Sequence, residues 1–239
     1  MPNRVAIIPA RGGSKGLKNK NIFPINNKPL IYWTIQACIK SKIFNKIIVS
    51  TDSPVIAKIA LDHGAEVPFL RPKNLSSDHA KTIDVIRHVI NKLYFNISKP
   101  DYIYILQPTS PLRTYKNILD AKDLLEKNNK YDSLVSVQEV PHIYNPESLY
   151  ENFKKDSFYL KNISSTKNQK IFNRHNKKTF LARNGAAIYI TTPSILKNSI
   201  LGKKVLGFKM NKIQSIDIDD YIDLFTAEYF LKNKKKFNI

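Results

Sequence analysis

Two clusters near opposite ends of this 239-residue chain carry residue types and spacings that chemistry needs. The first is IIPARGGSKGLKNKN, residues 7–21, directly after an apolar run. Its glycines, Gly12 and Gly13 among them, let a backbone come close to a bulky group, and consecutive N–H groups in such a loop form a nest for an anion. Arg11, Lys15 and Lys20 add side-chain charge, a concentration that suits a triphosphate. The spacing is not G-x-x-x-x-G-K-S/T, and adjacent Gly12 and Gly13 rule out G-x-G-x-x-G. The plain alternative is a basic surface turn.

The second cluster is SIDIDDYID, residues 215–223. If 215–219 is extended, Asp217 and Asp219 point to one side. Two converging carboxylates plus phosphate oxygens are the hard-oxygen set that Mg²⁺ takes. An acidic helix start is the competing explanation, and Asp220 and Asp223 fit it as the first turn of a final helix.

Elements must bring these clusters together. RVAIIPA (4–10), KIIVST (46–51), EVPFLR (66–71), DYIYIL (101–106) and DSLVSV (132–137) are short, β-branched runs bounded by turn residues, and each predicts a strand. Helix patterns lie at 29–41, at 53–62 with Ser53 as cap and Pro54 at the first helical position, at 81–94 and at 115–128. The alternation predicts an α/β fold with a largely parallel sheet and helices on both faces. Ligands of such sheets bind beyond the carboxyl ends of the strands, where the glycine-rich segment falls. Residues 138–182 break the rhythm and are too long for an ordinary connection, so a single domain with an insertion is expected. GAAIYIT (185–191) and KVLGFKM (204–210) predict returning strands, 219–232 a last helix, and KNKKKF a frayed end.

Composition narrows the function. One cysteine, Cys38, allows no intrachain disulfide and fits a reducing, cytoplasmic setting. No stretch reaches ~18 uninterrupted apolar residues, so no membrane partner is expected. The formal charge of +20 is carried mostly by lysines distributed along the whole chain, with many asparagines and isoleucines. That pattern is a compositional bias rather than an arginine- and aromatic-rich nucleic-acid face, and no nucleic-acid partner is expected. The five histidines show no metal spacing.

The opening motif resembles that of the acylneuraminate cytidylyltransferases, which make CMP-sialic acid and related CMP-nonulosonates. The resemblance continues through IIVSTDSPVIAKIALDHGAEVPFLRP, LSSDHAKTIDVI, LQPTSPLRT, RNGAAIYI and SIDIDDYIDL, in order over most of the chain. It implies a Rossmann-like nucleotidyltransferase fold of glycosyltransferase-A-like type, mostly parallel, with a dimerisation insertion. It also implies Mg²⁺-dependent joining of CTP to a nine-carbon keto acid sugar, giving CMP-sugar and pyrophosphate. Three departures stand out. Lys18 replaces the family's usual proline, Gly16 stands where the pseudaminic acid enzymes typically carry arginine, and NGAAIYI has one residue more than the usual NGAIYI. Gly16 favours a sialic or legionaminic acid substrate.

Carried onto this chain, the resemblance puts Arg11, Gly12, Gly13, Ser14, Lys15 and Lys20 on the phosphates. Asn21, Arg71, Ala80 and Thr82 fall on ribose and cytosine, and Asp217 and Asp219 on the metal. Lys20, with Arg11 and Asp217, takes the catalytic role. Gln107, Thr109, Ser110, Asn184 and Tyr189 fall on the sugar side, with Arg174 as the cation for its carboxylate. The 138–182 insertion implies a homodimer. The rival activities are 3-deoxy-manno-octulosonate or pseudaminic acid cytidylyltransfer, and the rival class is a non-catalytic nucleotide or nucleic-acid binder.

Overall fold

The computed structural model describes residues 2–14, 16–94, 98–154, 157–162, 179–185 and 187–237. Its strands of three residues or more are β1 (Arg4–Pro9), β2 (Lys46–Ser50), β3 (Tyr102–Ile105), β4 (Ser133–Glu139), β5 (Tyr150–Lys154), β6 (Ser157–Asn162), β7 (Leu181–Arg183), β8 (Tyr189–Thr191) and β9 (Val205–Lys209). The helices are α1 (Leu30–Ser41), α2 (Pro54–Asp62), α3 (Thr82–Leu93), α4 (Tyr115–Glu126), α5 (Tyr221–Lys232) and α6 (Lys234–Phe237). The main sheet runs β9-β4-β8-β3-β1-β2, and β7 joins it through β4. β1 is parallel to β2 and β3, β9 is parallel to β4, and β8 runs antiparallel between β3 and β4.

Alternation along β1 divides the core. Ala6 and Ile8 face the layer that buries Ile35 and Cys38 of α1 and Ile118 of α4. Val5 and Ile7 face the opposite layer, with Ile86, Val89 and Ile90 of α3. Both faces of the sheet are therefore covered, as parallel strands require. A third cluster joins Leu17 and Ile25, Leu112, Ile218 and the inner face of α5 at Leu224, Ala227 and Leu231. This cluster matters most for the site, because it packs the glycine-rich segment against the stretch that holds Asp217 and Asp219.

Local chemistry accounts for the helix starts. Ser53 Oγ accepts the Ile56 N–H, and Pro54 fills the first helical position. Thr114 with Asn117, and Asp220 with Asp223, form reciprocal capping boxes for α4 and α5.

Two expected elements differ. Residues 66–71 form no strand: Glu66 makes a single bridge to Ile48, and Pro68 removes a donor that a ladder would need. The KNKKKF tail is ordered, since Lys234–Phe237 form a short helix and the Phe237 ring meets Tyr229 and Phe230.

The chain divides into two compact units. One comprises residues 1–137 and 183–239, the other residues 138–182. In the second, β5 and β6 pair antiparallel, and the Val140 N–H donates to Phe180 O at 2.9 Å.

Candidate active site

The glycine-rich loop leaves β1 at its carboxyl end and is tied down from beneath. Gly12 N–H donates to Asp52 Oδ1 at 2.9 Å, and Asn21 Nδ2 donates to Arg11 O at 2.8 Å. Gly13 lies at φ 65°, a left-handed conformation that glycine adopts without strain. Buried Leu17 anchors the loop in the third cluster. Gly16 has a packing reason of its own, because a Cβ there would come within 2.9 Å of Asp219 O. Lys15 lies outside the described residues.

Lys20 bridges the two sequence clusters. Its Nζ donates to Ile218 O at 2.7 Å and to Asp219 Oδ1 at 3.0 Å. The Lys20 side chain is 15% exposed and that of Asp219 is 80% exposed, so one partner is sunk in the wall and the other stands in solvent. Asp217 is different. Burial, the largest cause, pushes its carboxyl above the usual range; Asp219 adds to this, while a hydrogen bond from Thr109 and the charge of Lys20 oppose it. Its Oδ1 is buried without a hydrogen-bond partner. A buried carboxylate oxygen without a donor beside a second carboxylate is a set that a divalent cation satisfies. Among the described residues no group of three His, Cys, Asp or Glu could hold a metal ion.

Gly185, at φ 67°, explains the glycine of RNGAAIYI: a Cβ there would overlap the Asp217 carboxylate. Ile218 N–H donates to Thr109 O at 2.8 Å, which fixes the acidic segment to the loop after β3.

A cavity of about 360 Å³ is lined by Lys20 and Thr109 of this arrangement, while Asp217 and Asp219 do not line it. Arg11, Ser14, Lys20, Asn21, Gln107 and Thr109 line it, together with Arg71, Ala80 and Thr82. Arg11 reaches the 76–78 stretch, with Nη2 at 2.6 Å from Asp78 Oδ1 and Nη1 donating to Ser76 O at 3.4 Å. Arg71 is buried. Its Nε donates to Ser50 Oγ at 3.1 Å, its Nη1 to Leu75 O at 3.5 Å and its Nη2 to Ser50 O. Burial, partly offset by Asp52 and reinforced by Arg11, brings its pKa down to about 10. Its donors thus organise the 72–80 loop from within. The Ala80 N–H is likewise taken, by Ser77 O at 3.1 Å.

A second cavity, of about 490 Å³, adjoins the first through shared lining residues Thr82 and Gln107. Arg183, Gly185, Tyr189 and the 198–201 loop form its walls. Tyr189 Oη donates to Gly185 O at 3.3 Å.

Two expected sugar-side residues lie beneath the surface. Asn184 is buried, with Oδ1 accepting from Ser136 Oγ at 2.6 Å and Nδ2 donating to Ser215 Oγ at 3.0 Å. It clamps the Gly185 turn to the acidic segment instead of facing the cavity. Ser110 is 1% exposed and lines neither cavity. Arg174 lies outside the described residues. Asp52, Asp78 and Arg183 were not anticipated. The first two act on loops tens of residues away in sequence, and no local pattern marks them. Arg183 had a signal, since it opens the motif that contains Tyr189.

The family profile described as Cytidylyltransferase matches residues 5–231. An N-acylneuraminate cytidylyltransferase of Escherichia coli is 34% identical over 235 residues, 97% of this chain and 52% of that protein; the chain thus spans about half the length of this relative. A CMP-N,N'-diacetyllegionaminic acid synthase of Legionella pneumophila is 34% identical over 235 residues, 95% of this chain and 96% of that protein. Among solved structures, a CMP:2-keto-3-deoxy-manno-octonic acid synthetase complexed with CTP superposes with a TM-score of 0.72 at 17% identity, over 97% of this chain and 99% of the other.

Proposed function

We propose that this chain, which belongs to the cytidylyltransferase family, joins CTP to a nine-carbon α-keto acid sugar, N-acetylneuraminic or legionaminic acid, with release of pyrophosphate. The observation that carries the proposal is the meeting of the basic glycine loop and the acidic segment at Lys20, which lines a cavity that shares Thr82 and Gln107 with a second one. One cavity suits a nucleotide and the other a polyhydroxylated acid.

In the proposed reaction the anomeric hydroxyl of the sugar attacks the α-phosphorus and releases its proton to solvent water. The bond from that phosphorus to the bridging oxygen breaks, and pyrophosphate carries the electron pair away. Negative charge grows on the phosphoryl oxygens, so positioning and fixed positive charge do most of the work. Arg11, Ser14 and the loop N–H groups bind the triphosphate. Lys20, held at the junction of loop and acidic segment, stabilises charge at the α-phosphate. Arg71 shapes the base pocket through the 72–80 loop, and Thr109 orients Asp217. Asp217 and Asp219 would hold Mg²⁺, which supplies charge neutralisation to the phosphate oxygens. Gln107 and Thr82 lie where the two substrates meet. Arg183 is the described cation on the sugar side. The insertion at 138–182 is the proposed homodimer element, and the reaction is placed in the cytoplasm.

The test is pyrophosphate release from CTP with Mg²⁺ and each candidate acid. Release with a nine-carbon acid, and none when ATP replaces CTP, is expected. Tight binding of random oligonucleotides at physiological salt without turnover would instead favour the non-catalytic binder.

A further inference from the structure

The first cavity carries one charge that runs against its proposed occupant. Among the described residues that line it, three are cations, Arg11, Lys20 and Arg71, and one is a carboxylate, Asp78. A triphosphate repels a carboxylate, so Asp78 adds nothing to phosphate binding by its own charge. It has a specific partner instead. Asp78 Oδ1 lies 2.6 Å from Arg11 Nη2, and Arg11 Nη1 donates to Ser76 O at 3.4 Å. The guanidinium of the glycine-rich loop is thus held by a stretch some 65 positions away.

Both backbones beneath this pair are fixed. Asn21 Nδ2 takes Arg11 O at 2.8 Å, and the adjacent Gly12 N–H goes to Asp52 Oδ1 at 2.9 Å. On the other side Ser76 N–H donates to Lys73 O at 3.0 Å, Ser76 Oγ to Pro72 O at 3.2 Å and Ala80 N–H to Ser77 O at 3.1 Å. Any exchange of partners therefore falls to the side chains. The three cations differ in how firmly they are held. Arg71 is buried against Ser50 and Leu75, and Lys20 gives one hydrogen bond to the backbone of Ile218. The Arg11 and Asp78 side chains are 31% and 33% exposed, so solvent screens their attraction and the pair is weak. A phosphate oxygen offers the guanidinium a charge-assisted bond of the same kind with more negative charge behind it. Arg11 is the cation that a phosphate can take from its partner at least loss.

We propose that Asp78 sets how tightly this site holds polyphosphate: it occupies Arg11 while the cavity is empty, and an incoming phosphate must displace it. The inference rests on the reading of the first cavity as the CTP site and of Arg11 as a phosphate cation. When a phosphate takes Arg11, the Asp78 carboxylate is separated from that guanidinium and stands beside added negative charge. Both effects weaken every phosphate ligand, CTP and pyrophosphate alike. CTP offsets the loss with its cytidine contacts on the 72–80 side of the cavity, whereas pyrophosphate has no base to offer. The consequence falls on the product: as pyrophosphate leaves, Asp78 retakes Arg11, and inhibition by the product is limited.

The test is calorimetric titration with CTP and, separately, with pyrophosphate, each with Mg²⁺, on the unaltered protein, Asp78→Asn, Arg11→Ala and the double variant. Asp78→Asn keeps the shape of the side chain and removes its charge. It should lower the Kd of both ligands by about two- to fivefold, the scale of a partly exposed ion pair. A residue that merely supports the loop would weaken binding when altered, not tighten it. In the Arg11→Ala background the gain from Asp78→Asn should shrink, because no guanidinium is left to compete for. An unchanged or higher Kd in Asp78→Asn overturns the inference. An equal gain in both backgrounds also overturns it, since Asp78 would then act as a repulsive charge alone. Absence of CTP binding by the unaltered protein would overturn the reading of the cavity and this inference together, whereas CTP binding with an unmoved Kd sinks the inference alone.

Discussion

Lys20 Nζ lies 3.0 Å from Asp219 Oδ1, so the proposed catalytic cation and a proposed metal ligand are directly paired. The pair locks the glycine-rich loop to the acidic segment across nearly 200 residues of sequence, and the second Lys20 hydrogen bond, to Ile218 O, reinforces it. In the proposed reaction the two groups share one job, which is to set the charge seen by a phosphate. Lys20→Ala should therefore lower kcat more than it raises the KM for CTP. A rise in KM with kcat unchanged would assign Lys20 to ground-state binding.

Asp217 and Asp219 differ in burial, and their substitutions should differ too. Asp217→Asn replaces a buried carboxylate whose charge is disfavoured by its surroundings, so the fold should persist while Mg²⁺-dependent turnover falls at least ~100-fold. Steady-state kinetics across a Mg²⁺ series, with circular dichroism as the fold control, checks this. Turnover near that of the unaltered protein would remove Asp217 from the metal site.

Gly185 and Asp217 are matched in shape. Gly185→Ala introduces a Cβ into the Asp217 carboxylate at a left-handed φ of 67°, and should destabilise the protein by about 1–3 kcal/mol. Part of that loss comes from the overlap alone. In an Asp217→Ala background the loss should shrink by about 0.5–3 kcal/mol, as measured by denaturant unfolding. An unchanged loss would mean the two groups do not touch.

Asp132 anchors the stretch that follows the second cavity's 198–201 wall. Its carboxylate accepts the N–H groups of Lys203 and Lys204 at 3.0 and 3.2 Å and the Ser133 hydroxyl at 2.9 Å. Burial opposes its charge, but these hydrogen bonds outweigh burial and hold the carboxyl below its ordinary value of 3.8. A carboxyl depressed in the folded state stabilises above its unfolded value and loses that contribution as pH falls through the folded one. The melting temperature of the unaltered protein should exceed that of Asp132→Ala near neutral pH, and the gap should narrow below 3.8. A constant gap would show that the carboxylate's charge contributes nothing.

Sequence patterns that depend on neighbours in the chain were legible. The short apolar run of β1, the Ser53–Pro54 start of α2 and the Asp220–Asp223 start of α5 each follow from local chemistry. What escaped depends on approach through space. Arg71 reads as a ligand arginine and lines the first cavity, and the sequence does not show that Ser50 and Leu75 take three of its five donors. Asn184 reads as a sugar contact, yet Ser136, 48 positions away, and Ser215, 31 positions away, occupy its amide. The 66–71 run has strand composition, but Pro68 and the inward turn of Arg71 limit it to one bridge. The tail escaped because Lys234 gains order from Trp33, about 200 residues earlier.

The proposed dimer has its own check. Sizing with light scattering should give twice the 27.5 kDa chain mass at micromolar concentration, and deletion of 138–182 should give a single chain mass. A monomeric unaltered protein would contradict the assignment.

The central claim is tested most directly by pyrophosphate release from CTP and Mg²⁺ with N-acetylneuraminic, legionaminic, pseudaminic and 3-deoxy-manno-octulosonic acids in parallel. The account predicts release with N-acetylneuraminic or legionaminic acid, and none when ATP replaces CTP. Release confined to the pseudaminic or eight-carbon acid, or no release with any of the four, would contradict it.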